Sequence, residues 1–315
     1  MVYDLAGKLV FIAGHNGMVG GAVLRALKRR GDVRLITAPR QQLDLRDEHA
    51  VGAYFAAHRP DVCVLAAAKV GGIIANSEDK VGFLYDNLRI QNAVIGAARA
   101  SDTERLLFLG SSCIYPKMAE QPIREDSLLT GPLEPTNDAY AIAKIAGIKL
   151  CEFLNRDDGR AYISAQPCNL YGPGDNYHPK SSHVVPGLIR RFHEAKRSHA
   201  SETVLWGTGT PLREFLYVDD LADALVFLLE NYSEPELINV GSGEEVSIRD
   251  LAGMVAEVVG YNGRLKLDLS KPDGAPRKLM DSSKIRAFGW RPGTGLRDGL
   301  RRAYTDFLSV VERSG

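Results

Sequence analysis

Residues Lys8–Gly20 read KLVFIAGHNGMVG. An apolar run ends in three glycines spaced G-x-x-G-x-x-G, and a helical pattern over Met18–Arg30 follows at once. The run has the length and composition of a buried strand. Gly14 permits a tight turn, Gly17 lets a pyrophosphate approach the backbone, and Gly20 lets helix and strand pack closely. The free N–H groups of the helix N-terminus then favour the anion. Placed between strand and helix, the loop predicts a dinucleotide site rather than a plain turn.

Outward from this loop, short apolar runs alternate with helical patterns. Strands are expected at Val33–Thr37, Val62–Ala66, Leu106–Leu109 and Tyr162–Gln166, with helices at Asp47–His58, Asp79–Ala100 and Ala139–Asn155. Repeated β-α-β units predict an α/β fold with a doubly wound parallel (Rossmann) sheet. After Pro167 the pattern loosens. Asn169–His183 is rich in Gly, Pro, Asn and His and reads as a functional loop. A helix at Val185–Arg197, a strand at Phe215–Val218 and a helix at Asp219–Glu230 come next, then Ile238–Val240, Ile248–Val259 and Leu265–Leu267. We therefore expect a dinucleotide domain over residues 1–168, with a return near 214–232, and a smaller α/β C-terminal substrate lobe over 169–315.

Composition narrows the class. Lysine plus arginine equals aspartate plus glutamate at 39 each, so no net field attracts nucleic acid or a membrane surface. No apolar run reaches the roughly 20 residues that span a bilayer, and Met1–Asp4 lacks the order of a signal peptide. The four cysteines, Cys63, Cys113, Cys151 and Cys168, match no zinc spacing. The expectation is a cytoplasmic protein with reduced thiols and no metal site.

The second strand ends without the acidic residue that commonly binds the ribose hydroxyls of NAD, and Arg40 follows it. An arginine there can receive a 2′-phosphate, which favours NADP(H); the bland alternative is a solvated charge. Asp44 suits either the adenine or a turn cap. Further on, Tyr140-Ala141-Ile142-Ala143-Lys144 puts a phenol and an ammonium about one helical turn apart on one face. The cation and a positive nicotinamide ring should together draw the phenol's pKa down from about 10, and the phenol can give a proton to an alkoxide as hydride arrives. Ser111 follows the strand Leu106–Leu109, where α/β sheets bind ligands, and can hydrogen-bond a substrate carbonyl.

Glycine loop, post-strand serine and YxxxK in this order resemble the extended short-chain dehydrogenase/reductase family. Within it the chain looks similar to the GDP-L-fucose synthases, which epimerise a GDP-4-keto-6-deoxymannose at C3 and C5 and reduce it at C4. The stretches that carry the likeness are FIAGHNGMVG (11–20), LAAAKVGGI (65–73), LFLGSSCIYPK (107–117), LEPTNDAYAIAKIAGIKLCE (133–152), NLYGP (169–173), SHVVP (182–186), WGTGTPLREFLYVDD (206–220) and KPDGAPRKLMD (271–281). The resemblance implies catalytic roles for Ser111, Tyr140 and Lys144 and an epimerising pair, Cys113 and His183. It implies substrate binding by Arg191, Trp206, Arg213 and Asp273. Its cofactor positions fall on Gly14, His15, Asn16, Gly17, Met18, Val19 and Gly20, on Arg40, Asp44 and Leu45, on Leu109, Gly110, Ser111 and Ser112, on Tyr140 and Lys144, and on Pro167, Cys168, Asn169, Leu170 and His183. It also implies a homodimer through the helices near 79–100 and 139–155. Asn16 departs from the family, which often has arginine there, so selection of NADP should rest more on Arg40.

The chemistry accounts for the extra pair. A 4-keto group acidifies the C3 and C5 protons through an enolate, and inversion needs a base on one face and an acid on the other; a thiol and an imidazole serve near neutral pH. The bland readings are a small buried hydrophobe for Cys113, a loop histidine for His183 and a turn hydroxyl for Ser112. Arg191 and Arg213 suit a diphosphate or ordinary salt bridges. Trp206 suits a base or a core, and Asp273 a ribose or a turn. Two other functions remain open: a reductase/epimerase of a related sugar, as in a GDP-colitose synthase, and a non-catalytic NADP-binding protein.

Overall fold

The computed structural model describes residues 2–179, 181–271 and 273–314. Lys180, in the loop after Pro167, and Pro272, in the KPDG stretch, lie outside the described residues. In chain order the elements are β1 (Leu9–Ala13), α1 (Met18–Arg30), β2 (Arg34–Ile36), α2 (Glu48–His58), β3 (Val62–Leu65), α3 (Ile73–Glu78), α4 (Lys80–Ala100), β4 (Arg105–Leu109), α5 (Asp138–Asp158) and β5 (Ala161–Pro167). Then come β6 (Asn169–Tyr171), α6 (Val184–Arg197), β7 (Glu202–Trp206), β8 (Leu212–Tyr217), α7 (Val218–Asn231), β9 (Ile238–Val240), β10 (Glu245–Ser247), α8 (Ile248–Val259), β11 (Arg264–Asp268), β12 (Arg277–Lys278), α9 (Ser283–Ala287) and α10 (Leu296–Ser314).

The main sheet is six-stranded, ordered β2-β1-β3-β4-β5-β9, and all its pairs are parallel. β3 and β4 are buried along their whole length, as expected of central strands covered by helices on both faces. Strand order reverses between β1 and β3, and ligands of doubly wound sheets bind at such a switch point. α7 packs on α1, and β9 closes the sheet edge beside β5, so the return to this sheet covers α7 and β9. A second core gathers Phe192 of α6, Phe215 of β8, Leu251 and Val255 of α8, and Phe307 of α10. Around it run a sheet ordered β10-β8-β12, with β6 also on β8, and the pair β11-β7.

Several elements differ from the sequence expectation. Asn169–Tyr171 is a strand, because its backbone pairs with Phe215–Tyr217 across the chain, a partnership that local composition does not announce. β8 begins at Leu212, β7 alternates exposed and buried residues, and β10 and β12 are short, half-buried strands. α10 is amphipathic and covers the second core. All four cysteines are buried and free.

Two close approaches position the site. Gly147 of α5 faces Phe108 of β4, where an added Cβ would stand 2.6 Å from Phe108 Cζ. Gln91 Nε2 of α4 donates to Ala143 O of α5 at 2.8 Å. Together they hold the helix carrying Tyr140 and Lys144 flat against the carboxyl end of β4.

Candidate active site

The glycine loop has the geometry its spacing suggests. Gly14 takes φ +93°, and a Cβ there would meet Ala67 N at 2.7 Å; a Cβ on Gly20 would collide with Gly14 O. Gly17 is the N-cap of α1, with no side-chain cap and no acid in the first turn. The first-turn N–H groups are therefore left to an anion. His15, Asn16, Met18 and Val19 complete the loop, with Asn16 exposed. This cradle fits a dinucleotide pyrophosphate.

Arg40 lies past β2, its side chain 70% exposed and 3.9 Å from Asp44. Asp44 is engaged elsewhere: Arg46 Nη2 donates to it at 2.7 Å, which holds its carboxyl down at about 2. Leu45 is half-buried against the main core. Arg40 is thus free to turn to a phosphate, while Asp44 is fixed by Arg46, a partner that no spacing rule pointed to.

Ser111 caps the short turn Ser112–Ile114, and its Oγ accepts from Cys113 N at 3.4 Å. Its own N–H donates to Gln166 Oε1 at 3.0 Å. Gly110 is required beside that amide, since a Cβ would overlap Gln166 Oε1. Ser112 is buried. Lys144 Nζ donates to Leu109 O at 2.7 Å and lies 5.7 Å from the centre of the Tyr140 ring. Tyr140 packs with Cys113, Phe83 and Ala141. One small cluster thus holds Ser111, Cys113, Tyr140 and Lys144.

The protonation of this cluster departs from the sequence reading. Burial pushes the Tyr140 phenol up, not down, and the nearby Cys113 adds to the rise. The same burial lowers Lys144 to about 8. Burial thus outweighs the ammonium one turn away. A neutral phenol is nonetheless the form that can donate a proton. Burial also raises the Cys113 thiol and lowers His183 below its ordinary 6.5. The resting pair is therefore neutral thiol with neutral imidazole. His183 is the N-cap of α6, and its side chain makes no capping hydrogen bond; it is water-accessible yet crowded by protein.

Cys168 is buried and its N–H donates to Val240 O at 3.1 Å, while Asn169 Nδ2 donates to Glu214 O at 2.8 Å. Pro167 ends β5 and Leu170 packs on the main core, so this segment joins the two sheets.

The expected substrate residues form a second group. Arg191 Nη1 donates to Val204 O at 2.6 Å, and its guanidinium lies 5.7 Å from the centre of the Trp206 ring. Trp206 is 52% exposed, which removes the core reading. Asp273 accepts from Thr208 N at 2.7 Å and Thr208 Oγ1 at 2.8 Å, so its carboxylate secures the turn beside Trp206. A Cβ on Gly274 would stand 3.6 Å from Arg213 Nη2. Arg191 and Arg213 are both half-buried without a carboxylate partner among the described residues, and burial lowers both.

Residues that sequence reasoning missed are Gln166, which holds Ser111; Asn137, the N-cap of α5, whose buried Oδ1 has no partner among the described residues; and Lys278, which acts electrostatically on Cys113. Lys278 stands in the KPDGAPRK stretch, the one signal that pointed to it.

Comparison with known proteins agrees with this geometry. Residues 10–241 match the NAD dependent epimerase/dehydratase family. The chain is 58% identical to the probable GDP-L-fucose synthase 1 of Oryza sativa subsp. japonica, covering 98% of this chain and 94% of the relative. It is 53% identical to the GDP-L-fucose synthase of Escherichia coli K12, covering 96% and 98%. The solved GDP-L-fucose synthetase of Naegleria fowleri bound to NADP superposes with a TM-score of 0.90 at 28% identity, over 99% of each chain. The chain therefore belongs to the NAD dependent epimerase/dehydratase family.

Proposed function

We propose that the protein epimerises GDP-4-keto-6-deoxymannose at C3 and C5 and reduces it at C4 with NADPH, giving GDP-L-fucose. The observation that carries this reading is Cys113 lying against the Tyr140 and Lys144 pair. A simple ketone reductase needs the phenol and the ammonium, whereas a second proton-transfer group at the same ring points to inversion as well. Identity above 50% to GDP-L-fucose synthases over nearly the whole chain supports the same substrate.

Gly14–Gly20 and the first turn of α1 would hold the pyrophosphate of the cofactor, and Arg40 would receive its 2′-phosphate. NADPH bound there supplies a hydride. Ser111 hydrogen-bonds the C4 carbonyl oxygen, and neutral Tyr140 gives its proton to that oxygen as it becomes an alkoxide. Lys144, fixed by Leu109 O, sets a positive charge beside the phenolate that remains. Cys113 and His183 exchange protons with C3 and C5. One takes the carbon-bound proton, the electron pair passes to the C4 oxygen as an enolate, and the other delivers a proton to the opposite face. Arg191 and Arg213 meet the diphosphate, with Trp206 and Asp273 at the nucleoside end. In this division the sheet lobe takes the dinucleotide and the smaller lobe the nucleotide sugar.

A homodimer is supported by exposed apolar side chains on adjacent helices: Val81 and Tyr85 on α4, Ile142 and Phe153 on α5. Spacings of four and eleven residues put each pair on one helical face. Sedimentation gives the state directly. Among the described residues no helix is long and apolar enough to cross a membrane.

The test follows NADPH consumption and deuterium uptake with GDP-4-keto-6-deoxymannose, and with other 4-keto nucleotide sugars. Wild type consumes NADPH with the first and washes solvent deuterium into C3 and C5. Cys113→Ser should lose exchange by on the order of 10²-fold, since a hydroxyl is far less acidic than a thiol. No turnover with the GDP sugar, or wild-type exchange by the serine variant, refutes the assignment.

A further inference from the structure

The cofactor site carries a carboxylate beside the very arginine that would receive a phosphate. Residues 43–46 read Leu-Asp-Leu-Arg. Leu43 is buried and Leu45 is half-buried against the main core, while Asp44 and Arg46 stay accessible to solvent. Two turns fix the spacing. Gln42 N and Leu43 N both donate to Pro39 O, at 2.9 and 3.0 Å, and Asp47 N donates to Asp44 O at 2.9 Å. Arg40 Nε is thereby brought to 3.9 Å from Asp44 Oδ2. A phosphate monoester carries about −1.5 to −2 charges at pH 7. An unpaired Asp44 would oppose it twice, by repelling the anion and by competing for Arg40.

Arg46 meets this carboxylate on both oxygens. Its Nε donates to Oδ1 at 3.0 Å and its Nη2 to Oδ2 at 2.7 Å, a bidentate fork, and its backbone N–H also donates to Oδ1 at 3.0 Å. The fork is braced from α4. Arg46 Nη1 lies 3.5 Å from Asp86 Oδ1, and Arg89 Nη2 donates to Arg46 O at 2.8 Å. Asp86 in turn faces Lys69 Nζ at 3.5 Å. Both oxygens of Asp44 are therefore engaged by Arg46, and the separation from Arg40 is beyond hydrogen-bond range. An accessible ion pair between residues two apart adds little to stability, so its effect falls on what the carboxylate does to its neighbours.

We propose that Arg46 is a specificity-determining residue of the cofactor site: by holding both oxygens of Asp44 it cancels the carboxylate's charge and leaves Arg40 available, so that the site accepts the extra phosphate of NADP(H). This rests on the reading of Arg40 as the phosphate-binding group. The Arg46 guanidinium acts through Asp44 and Arg40 rather than on the phosphate itself. Asn16, exposed in the glycine loop, brings no charge of its own, so the choice between the two cofactors falls on Arg40, Asp44 and Arg46.

The test is equilibrium binding of NADPH and of NADH to the full chain by titration calorimetry, with no sugar present. Wild type is compared with Arg46→Met, with Arg46→Gln, and with Arg46→Met combined with Asp44→Asn. Wild type should bind NADPH more tightly than NADH. Each neutral variant should lose on the order of tenfold in NADPH affinity, the effect of one unpaired charge a few ångströms from a phosphate at an accessible site, with NADH affinity changed much less. The loss should shrink as salt is raised, because salt screens the repulsion. Adding Asp44→Asn to Arg46→Met should return the NADPH to NADH ratio towards the wild-type value. Thermal unfolding identifies a variant that fails to fold, and the Gln variant then carries the comparison. If Arg46 only holds the loop together, both cofactors weaken alike and Asn recovers nothing; if it binds the phosphate directly, the double variant stays as weak for NADPH as the single one. Either result overturns the proposal, as does a wild-type ratio in a folded neutral variant. A wild type with no preference for NADPH removes the Arg40 reading itself, whereas a preference kept by wild type and Arg46 variants alike removes the role of Arg46 alone.

Discussion

Replacing Tyr140 with phenylalanine removes one oxygen and leaves the ring. The ring is buried and packs edge-on against Phe83, with centroids 6.4 Å apart and planes at 83°. Its hydroxyl makes no hydrogen bond among the described residues, so no protein partner is orphaned by the change. Stability should move by less than about 1 kcal/mol, with Tm shifting by no more than about 4 °C. The reaction depends on that oxygen far more. Loss of a positioned general acid costs on the order of 10²–10⁴ in rate, or about 2.7–5.4 kcal/mol of barrier. The two magnitudes differ enough for separate measurement. NADPH consumption with the keto sugar should fall by that factor, while NADPH binding, thermal unfolding and solvent exchange at C3 and C5 should stay close to wild type. Turnover at the wild-type rate would exclude Tyr140 as the acid. Loss of exchange and cofactor binding together with turnover would make its role one of packing.

Three other perturbations reach different parts of the site. Gly20→Ala puts a methyl group into Gly14 O, so stability should drop by about 1–3 kcal/mol and NADPH affinity should weaken, read by unfolding with and without cofactor; an unchanged Kd would refute the cradle. Arg40→Ala should narrow the preference for NADPH over NADH in kcat/KM, and an unaltered ratio means another group reads the phosphate. The pH profile of deuterium exchange follows the pair's one-proton state, whether the proton sits on sulfur or on imidazole. With His183 pushed below 6.5 and Cys113 pushed above 9.0, exchange should rise through the first pKa as the imidazole deprotonates, stay flat between, and fall as the thiol ionises. A continuous decline between those limits would contradict it.

Much of this protein is written in short stretches of its sequence. The strand-glycine-helix order of 8–30 specifies the first turn of the cofactor site, because only glycine fits where Gly14 crosses Ala67 and where Gly20 meets Gly14 O. Tyr140 and Lys144 share a helix face by period alone, and buried apolar runs are enough to identify the central strands. What only the tertiary structure decided is how distant residues meet and what charge they carry. The segment carrying Lys278 pairs with β8, 65 residues earlier, and is clamped on Gln121 and Ile123, more than 150 residues earlier, contacts that no local pattern encodes. Asn169–Tyr171 becomes a strand only because β8 is there to pair with it. The charge states were likewise hidden. Sequence places a cation one turn from a phenol, but burial outweighs that neighbour once the cluster closes, leaving Tyr140 and Cys113 protonated and His183 neutral. Desolvation belongs to the packed environment of a group, and a linear sequence carries no measure of it.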